Sequence, residues 1–274
     1  MGCEHAQAAG GQSTPSQFEE NTLSEVKRVI AVLSGKGGVG KSFVTGAIAT
    51  ELARRGNKVG ILDATSPALH PQNVRHERTP CPCPRQPHAA RDLRARRQGH
   101  ELQPVAPKRN RSRPLAWPGY RGRIRQFWSE TSWGIDYLLV DMPPGTGDVA
   151  LTVFQSLPVD GIVIVTSPQD LVSMIVAKAV NMAEKMNVPI LGIVENMSYI
   201  ECPDCGKKIE VFGKSKLPEV AERYNLDILG QLPINPSLAE ACDKGEVETA
   251  LPDDMLPKAV SAVEAIAPHK TDEA

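Results

Sequence analysis

An apolar, β-branched run, Arg28-Val29-Ile30-Ala31-Val32-Leu33-Ser34, opens directly into Gly35-Lys36-Gly37-Gly38-Val39-Gly40-Lys41-Ser42. That junction constrains the fold more than any other feature of the chain. The run has the length and composition of a buried strand. Residues 42–55 come next, with Val44, Ile48, Leu52 and Ala53 at helical spacing. Strand, glycine-rich turn and helix together are the context in which the pattern G-x-x-x-x-G-K-[ST] carries physical meaning. Glycines let backbone N–H groups close around phosphate oxygens, and the helix N-terminus adds partial positive charge. Lys41 is expected to reach the outer phosphates of a bound nucleotide, and the Ser42 hydroxyl to ligate Mg²⁺.

A chain of 274 residues can bury one large α/β core or two small ones. It has no apolar run of about eighteen residues, so no membrane-spanning helix is expected. Residues 1–21 are polar and do not read as a signal peptide, and Ala6 stands where a myristoylation signal needs Ser or Thr. A cytoplasmic protein with no membrane role is therefore expected, with a disordered tail over 1–25, a folded domain over 26–268 and a second tail over 269–274. Six cysteines in that setting point to reduced thiols or metal ligands rather than disulfides.

Charge is unevenly spread. Residues 65–125 hold fourteen Lys/Arg against three acidic residues, and ten of the twenty-three prolines, while the whole chain has net charge −1. Over 65–123 neither helical nor strand periodicity is visible, and the segment reads as poorly ordered. Three explanations stay open. It can be a solvated linker, or a basic nucleic-acid-binding insert, though aromatic interleaving is missing and nucleic acid is not the expected partner. It can also be a segment read out of frame. Codons available to 64–69, entered one base early, can spell Asp-Ile-Thr-Gly-Pro. Those for 100–106 and 115–123, entered one base late, can spell Met-Ser-Ser-Asn-Leu-Leu-Leu and Trp-Arg-Gly-Pro-Gly-Ile-Ala-Gly-Ala.

The remaining chain alternates strands and helices. Lys58-Val59-Gly60-Ile61-Leu62-Asp63 reads as a parallel strand whose terminal Asp63 faces the ligand crevice. A short helix around 125–128 leads into Ile135-Asp136-Tyr137-Leu138-Leu139-Val140-Asp141, a buried strand ending in a carboxylate placed to hold Mg²⁺ through water. Pro143-Pro144-Gly145-Thr146-Gly147-Asp148 is a turn, with Asp148 expected to cap the next helix. Strands are expected at 161–166, 190–196 and 228–232, and helices at 169–186, 215–224, 237–244 and 255–267. The alternation predicts an α/β fold: a mainly parallel, doubly wound sheet of the P-loop NTPase type with helices on both faces. Cys202-Pro203-Asp204-Cys205-Gly206 supplies two thiolates at metal-ligand spacing, and 207–213 a hairpin-like return. Two ligands do not complete a site. Cys81 and Cys83 lie in the basic segment and Cys242 is alone, whereas a second copy of the chain supplies two more by symmetry.

Lys36 makes the first loop resemble the deviant Walker A loop, KGGVGK[ST], of dimeric ATPases such as nitrogenase iron protein and the partitioning ATPases, in which this lysine crosses to the partner's nucleotide. With Asp-Met-Pro-Pro-Gly-Thr-Gly-Asp at 141–148, Glu-Asn-Met-Ser-Tyr at 195–199 and Cys-Pro-Asp-Cys-Gly at 202–206, the chain resembles the Mrp-type iron–sulfur cluster carrier ATPases over 26–62 and 124–267. The resemblance implies a homodimer that binds ATP through Gly35, Lys36, Gly37, Gly38, Val39, Gly40, Lys41 and Ser42, with Lys36, Lys41 and Asp63 catalytic and Asn196 on the adenine. It implies Mg²⁺ at Ser42 and Asp141, a [4Fe–4S] cluster bridged by Cys202 and Cys205, and recipient apoproteins. The family run after Leu62 carries a second aspartate that positions the attacking water; here Thr65 stands in that place. A non-hydrolysing nucleotide or metal binder therefore stays open, as do zinc, a redox pair or structural thiols at the cysteines. Asn196 can also simply end its strand in a turn. A MinD/ParA-like positioning ATPase is the other alternative, but it wants a basic amphipathic C-terminal helix, and 255–267 carries one lysine.

Overall fold

The computed structural model describes residues 18–65, 117–168 and 172–267. β1 (Glu25–Ser34) is central, paired in parallel with β3 (Gly134–Asp141) on one side and β4 (Gly161–Thr166) on the other. β2 (Val59–Asp63) flanks β3, and β5 (Ile190–Glu201) and β7 (Ile228–Pro233) continue beyond β4, all parallel. Among the described residues only β6 (Lys208–Ile209) is antiparallel, as a short return against the end of β5. All six residues of β4 are buried, as are the last six of β1. Near-continuous apolar runs are what strands covered on both faces require.

Alternation along β1 divides the core. Val29, Ala31 and Leu33 face the layer made by α2 (Trp117–Ser129), α3 (Asp148–Ser156), α4 (Val172–Met186) and α5 (Leu217–Tyr224), meeting Trp128, Phe154, Val176 and Leu217. Ile30 and Val32 face α1 (Lys41–Arg54) and α8 (Pro257–Glu264), through Val44, Ile48, Leu52, Val260 and Val263. α6 (Pro236–Lys244) is capped by Asn235, whose Oδ1 accepts from the Ser237 and Leu238 N–H groups. The one-turn α7 (Val247–Ala250) has no counterpart among the expected elements; Arg54 binds the Glu248 and Leu251 carbonyls around it.

Four expectations change. The tail expected over 1–25 does not include its last residues: Phe18 N–H donates to the Ser156 carbonyl (3.0 Å), Trp128 Nε1 to the Phe18 carbonyl (3.1 Å) and Ser129 Oγ to the Glu19 carbonyl (2.7 Å). The segment read as aperiodic over 65–123 ends in helix, since α2 starts at Trp117; Pro118 is compatible with a first turn, whose N–H groups lack intrahelical partners. Asp148 is not the cap but the first residue of α3, where its charge favours the positive helix end; Gly147 holds the cap position. β5 does not end at Asn196 but runs to Glu201. The linker, nucleic-acid and frame-shift explanations fall on 66–116, outside the described residues.

Candidate functional site

The direction of strand succession reverses about β1, so the crevice at its carboxyl end is where an α/β sheet of this order holds a ligand. β1 delivers the loop 35–40 to that crevice and α1 begins at Lys41. Gly40 takes φ +77°, and the Val44 N–H donates to its carbonyl (3.0 Å), closing the first turn of α1. A Cβ at Gly40 would sit 2.1 Å from Asn196 Nδ2, and one at Gly35 2.1 Å from Ile175 Cγ2. These positions are glycine because neighbouring side chains fill the space. At Gly37 and Gly38 an added Cβ would meet nothing within 4 Å, so the loop's backbone is open outward there. Val39, next along the loop, is buried and anchors it in the α1-side core.

Lys41 and Asp141 form a buried ion pair, each under a tenth exposed. Thr45 Oγ1 lies 3.4 Å from the same Asp141 oxygen and also donates to the Lys41 carbonyl (3.0 Å). Burial raises the Asp141 carboxyl above its ordinary value, outweighing the lowering effects of the Lys41 ammonium and the Ser42 hydrogen bond; nearby Asp63 adds to the rise. Asp63 stands opposite Asp141 in the β2–β3 register. It is exposed, and its Oδ1 accepts from both the Thr65 N–H (2.8 Å) and the Thr65 hydroxyl (2.6 Å). The turn after β3 is fastened to the loop by Gly145 N–H donating to the Ser34 carbonyl (2.8 Å). Lys36 is half-buried, beside a Ser34 Oγ bond to its own carbonyl (3.0 Å). The sheet thus gathers Lys36, Lys41, Ser42, Asp63 and Asp141 at the carboxyl ends of its strands, from segments up to about a hundred residues apart.

Asn196 reaches the same loop. Its Nδ2 donates to the Val39 carbonyl (3.0 Å), and the side chain is buried. Further along the chain, β5 ends at the cysteine turn. Cys202 N–H donates to the Lys207 carbonyl (3.0 Å) and Gly206 N–H to the Cys202 carbonyl (2.9 Å), so 202–206 closes on itself. Cys202 is half-buried, Cys205 exposed, and both are free thiols. The Asp204 and Cys205 N–H groups lower the Cys202 thiol below its ordinary range, with help from the Cys205 side chain. Ile209, Val211 and Phe212, each about half exposed, put apolar surface on the segment that returns from the turn. Among the described residues no group of three or more His, Cys, Asp or Glu side chains gathers as a metal site, so the turn offers two thiols and no more.

Sequence inspection overlooked Glu195. It is fully buried on β5 and accepts from Ser198, Ser215 and Gln231. A charge inside an apolar strand was its one sequence signal. Among the described residues no helix is long and apolar enough to cross a membrane. α8 turns Ala259, Val260 and Val263 into the core.

Known proteins resemble this chain in sequence and in fold. An iron-sulfur cluster carrier protein of Clostridium perfringens is 43% identical over 90% of this chain and 90% of its own length. One of Methanocaldococcus jannaschii is 39% identical over 84% of this chain and 80% of its own. A nucleotide-binding protein from Archaeoglobus fulgidus, solved in complex with ADP, superposes with TM-score 0.64 at 38% identity, covering 85% of this chain and 93% of that one. The cell-division protein MinD of Aquifex aeolicus shares the fold at 20% identity, with TM-score 0.51 over 86% of this chain and 94% of its own. The family described as ParA, the NUBPL iron-transfer P-loop NTPases, matches residues 25–268, and the chain belongs to it.

Proposed function

We propose that this protein is an ATP-binding iron–sulfur cluster scaffold and carrier, acting as a homodimer that holds a bridging [4Fe–4S] cluster and passes it to apoproteins. The observation that carries this is the coexistence, on one strand, of a residue holding the phosphate loop and a two-thiol turn: Asn196 and Cys202 both belong to β5 or its end. The relatives named as cluster carriers and the ADP-bound structural neighbour support both halves.

The outward-open backbone at Gly37 and Gly38 suits phosphate oxygens, and α1 adds its N-terminal field. Lys41 would take the outer phosphates and Lys36 the partner subunit's nucleotide. Ser42 and Asp141 are adjacent hard oxygen donors, which suits Mg²⁺. When bound, that ion would neutralise phosphate charge. Asp141 presents its carboxylate beside the loop, and Asp63 is the acid left to orient water. With Asp63 held by both donors of Thr65, hydrolysis is slow. That contact also favours a second reading, a carrier that binds ATP without turnover; phosphate release above a Lys41→Met control separates the two.

The cluster is the cargo. A thiol poised toward thiolate is the form that ligates iron, and two per chain in an exposed turn call for a second copy. Anaerobic incubation with iron and sulfide tests the assignment. Wild type gains the visible charge-transfer absorbance of a cluster, and Cys202→Ser does not. Equal spectra in the two proteins would remove the assignment.

A further inference from the structure

β5 changes character at its middle. Up to Glu195 it pairs with β4 and β7 in the parallel sheet; beyond, it pairs only with β6 at Ile200 and Glu201, apart from Tyr199 against Pro233. Between Glu195 and Tyr199 the register against β7 shifts, two more residues being spent on β5 than on its partner, and Met197 takes φ +59°. Such a bulge bends a strand and re-aims the residues beyond it. Those residues, 199–214, form an arm that leaves the sheet, makes the Cys202–Cys205 turn, and comes back to start α5.

Both roots of that arm are held by one carboxylate. Ser198, at the outgoing root, donates its hydroxyl to Glu195 Oε2 (2.5 Å). Ser215, at the returning root, donates to Glu195 Oε1 (2.7 Å), and its oxygen accepts from the Leu217 N–H (3.1 Å) at the start of α5. Gln231 Nε2 on β7 fixes Oε2 from the sheet side (2.9 Å) and also reaches Ser198 Oγ (3.3 Å). Glu195 is fully buried, and burying a carboxylate without donors is strongly unfavourable, so these bonds are what keep it there. A buried, satisfied network of this kind fixes one geometry rather than adding much stability. The next residue, Asn196, is the one bonded to the Val39 carbonyl in the phosphate loop.

We propose that Glu195 is a positioning residue: it locks both roots of the cysteine arm to the sheet, and through Asn196 it ties the pose of Cys202 and Cys205 to the pose of the phosphate loop. This rests on the nucleotide-and-cluster function above and names the joint through which one site senses the other. A ligand that shifts Val39 pulls on Asn196, the bulge yields at Met197, and the arm turns about its two clamped roots. Coupling of this kind must be reciprocal: metal on the cysteines changes nucleotide affinity by the same factor.

The test needs no cluster. In the full-length reduced protein, iodoacetamide labelling of the peptide holding Cys202 and Cys205 is followed by mass spectrometry with and without Mg-ATP, while a fluorescent ATP analogue reports binding. Wild type is expected to change its labelling rate by about fivefold or more on adding Mg-ATP. In Glu195→Gln and in the Ser198→Ala/Ser215→Ala pair, the analogue binds within about twofold of wild type and the labelling ratio falls toward one. Ser215→Ala alone frees the returning root and leaves Glu195 its Ser198 and Gln231 donors, so it answers if neither of these variants folds. Variants that keep the wild-type ratio overturn the clamp. Wild type that binds the analogue with no change in labelling overturns the coupling while leaving the carrier function standing. Wild type that does not bind it overturns both.

Discussion

Lys41→Met isolates the electrostatics of the loop. The substitution keeps most of the side-chain volume and removes the ammonium from a pair in which Lys41 is 6% and Asp141 4% exposed. Asp141 is left with hydroxyl partners, of which Thr45 Oγ1 is 3.4 Å away, and with Asp63 beside it in register. Breaking a buried pair from one side costs about 3–5 kcal/mol, which for a domain of this size lowers the melting temperature by about 6–20 °C. The cost depends on pH, and its sign is set by which state holds the proton longer. Burial raises the folded-state pKa of Asp141 above the unfolded 3.8 despite Lys41, so the native state binds the proton more tightly. Stability is therefore lost as pH rises from 3.8 through the folded value. Removing Lys41 takes away the largest lowering influence and carries that interval upward. Urea melts at about pH 5 and about pH 8 should show the variant's deficit shrinking on acidification. Adding Asp141→Asn should restore most of the loss at the higher pH. A deficit under about 1 kcal/mol, equal at both pH values, would refute the buried-pair account.

The same geometry sets other expectations. Gly40→Ala must adopt φ +77° and push a Cβ against Asn196 Nδ2, so it should cost about 1–2 kcal/mol and weaken nucleotide binding; melts with and without Mg-ADP measure both. Asn196→Ala leaves the Val39 carbonyl without this donor, and nucleotide affinity should fall about tenfold, read by titration calorimetry. The Cys202 thiol is lowered by neighbouring N–H groups while burial and Asp243 raise that of Cys242, so iodoacetamide near neutral pH should modify Cys202 before Cys242; the reverse order by peptide mapping would count against the arm geometry. Trp128→Phe removes the donor to the Phe18 carbonyl, and residues 18–24 should become an early protease target with the core still folded.

The parts legible in sequence are those that local chemistry decides. β4 and the inner end of β1 read as strands because every residue there is apolar or small and buried on both faces. The phosphate loop is legible because its glycines and Lys41 lie within eight consecutive residues. Features that depend on distant partners were read short or not at all. Asn196 can be read from sequence as the end of a strand, and Glu195 and Ser198 carry no visible role there, yet their partners Val39, Ser215 and Gln231 come from distant segments that satisfy them inside the fold. The early residues 18–20 looked tail-like because Trp128 and Ser129, which fasten them, lie over a hundred positions away. The four-residue α7 has no repeat long enough to show periodicity; it borrows Arg54 to bind its carbonyls.

Weighing the reconstituted protein intact, by native mass spectrometry under anaerobic conditions, addresses the carrier proposal most directly. Half of each metal site on each of two chains predicts a species of two chains plus one four-iron, four-sulfide unit, absent from Cys202→Ser and from Cys205→Ser. A single chain carrying the full complement of iron would contradict it.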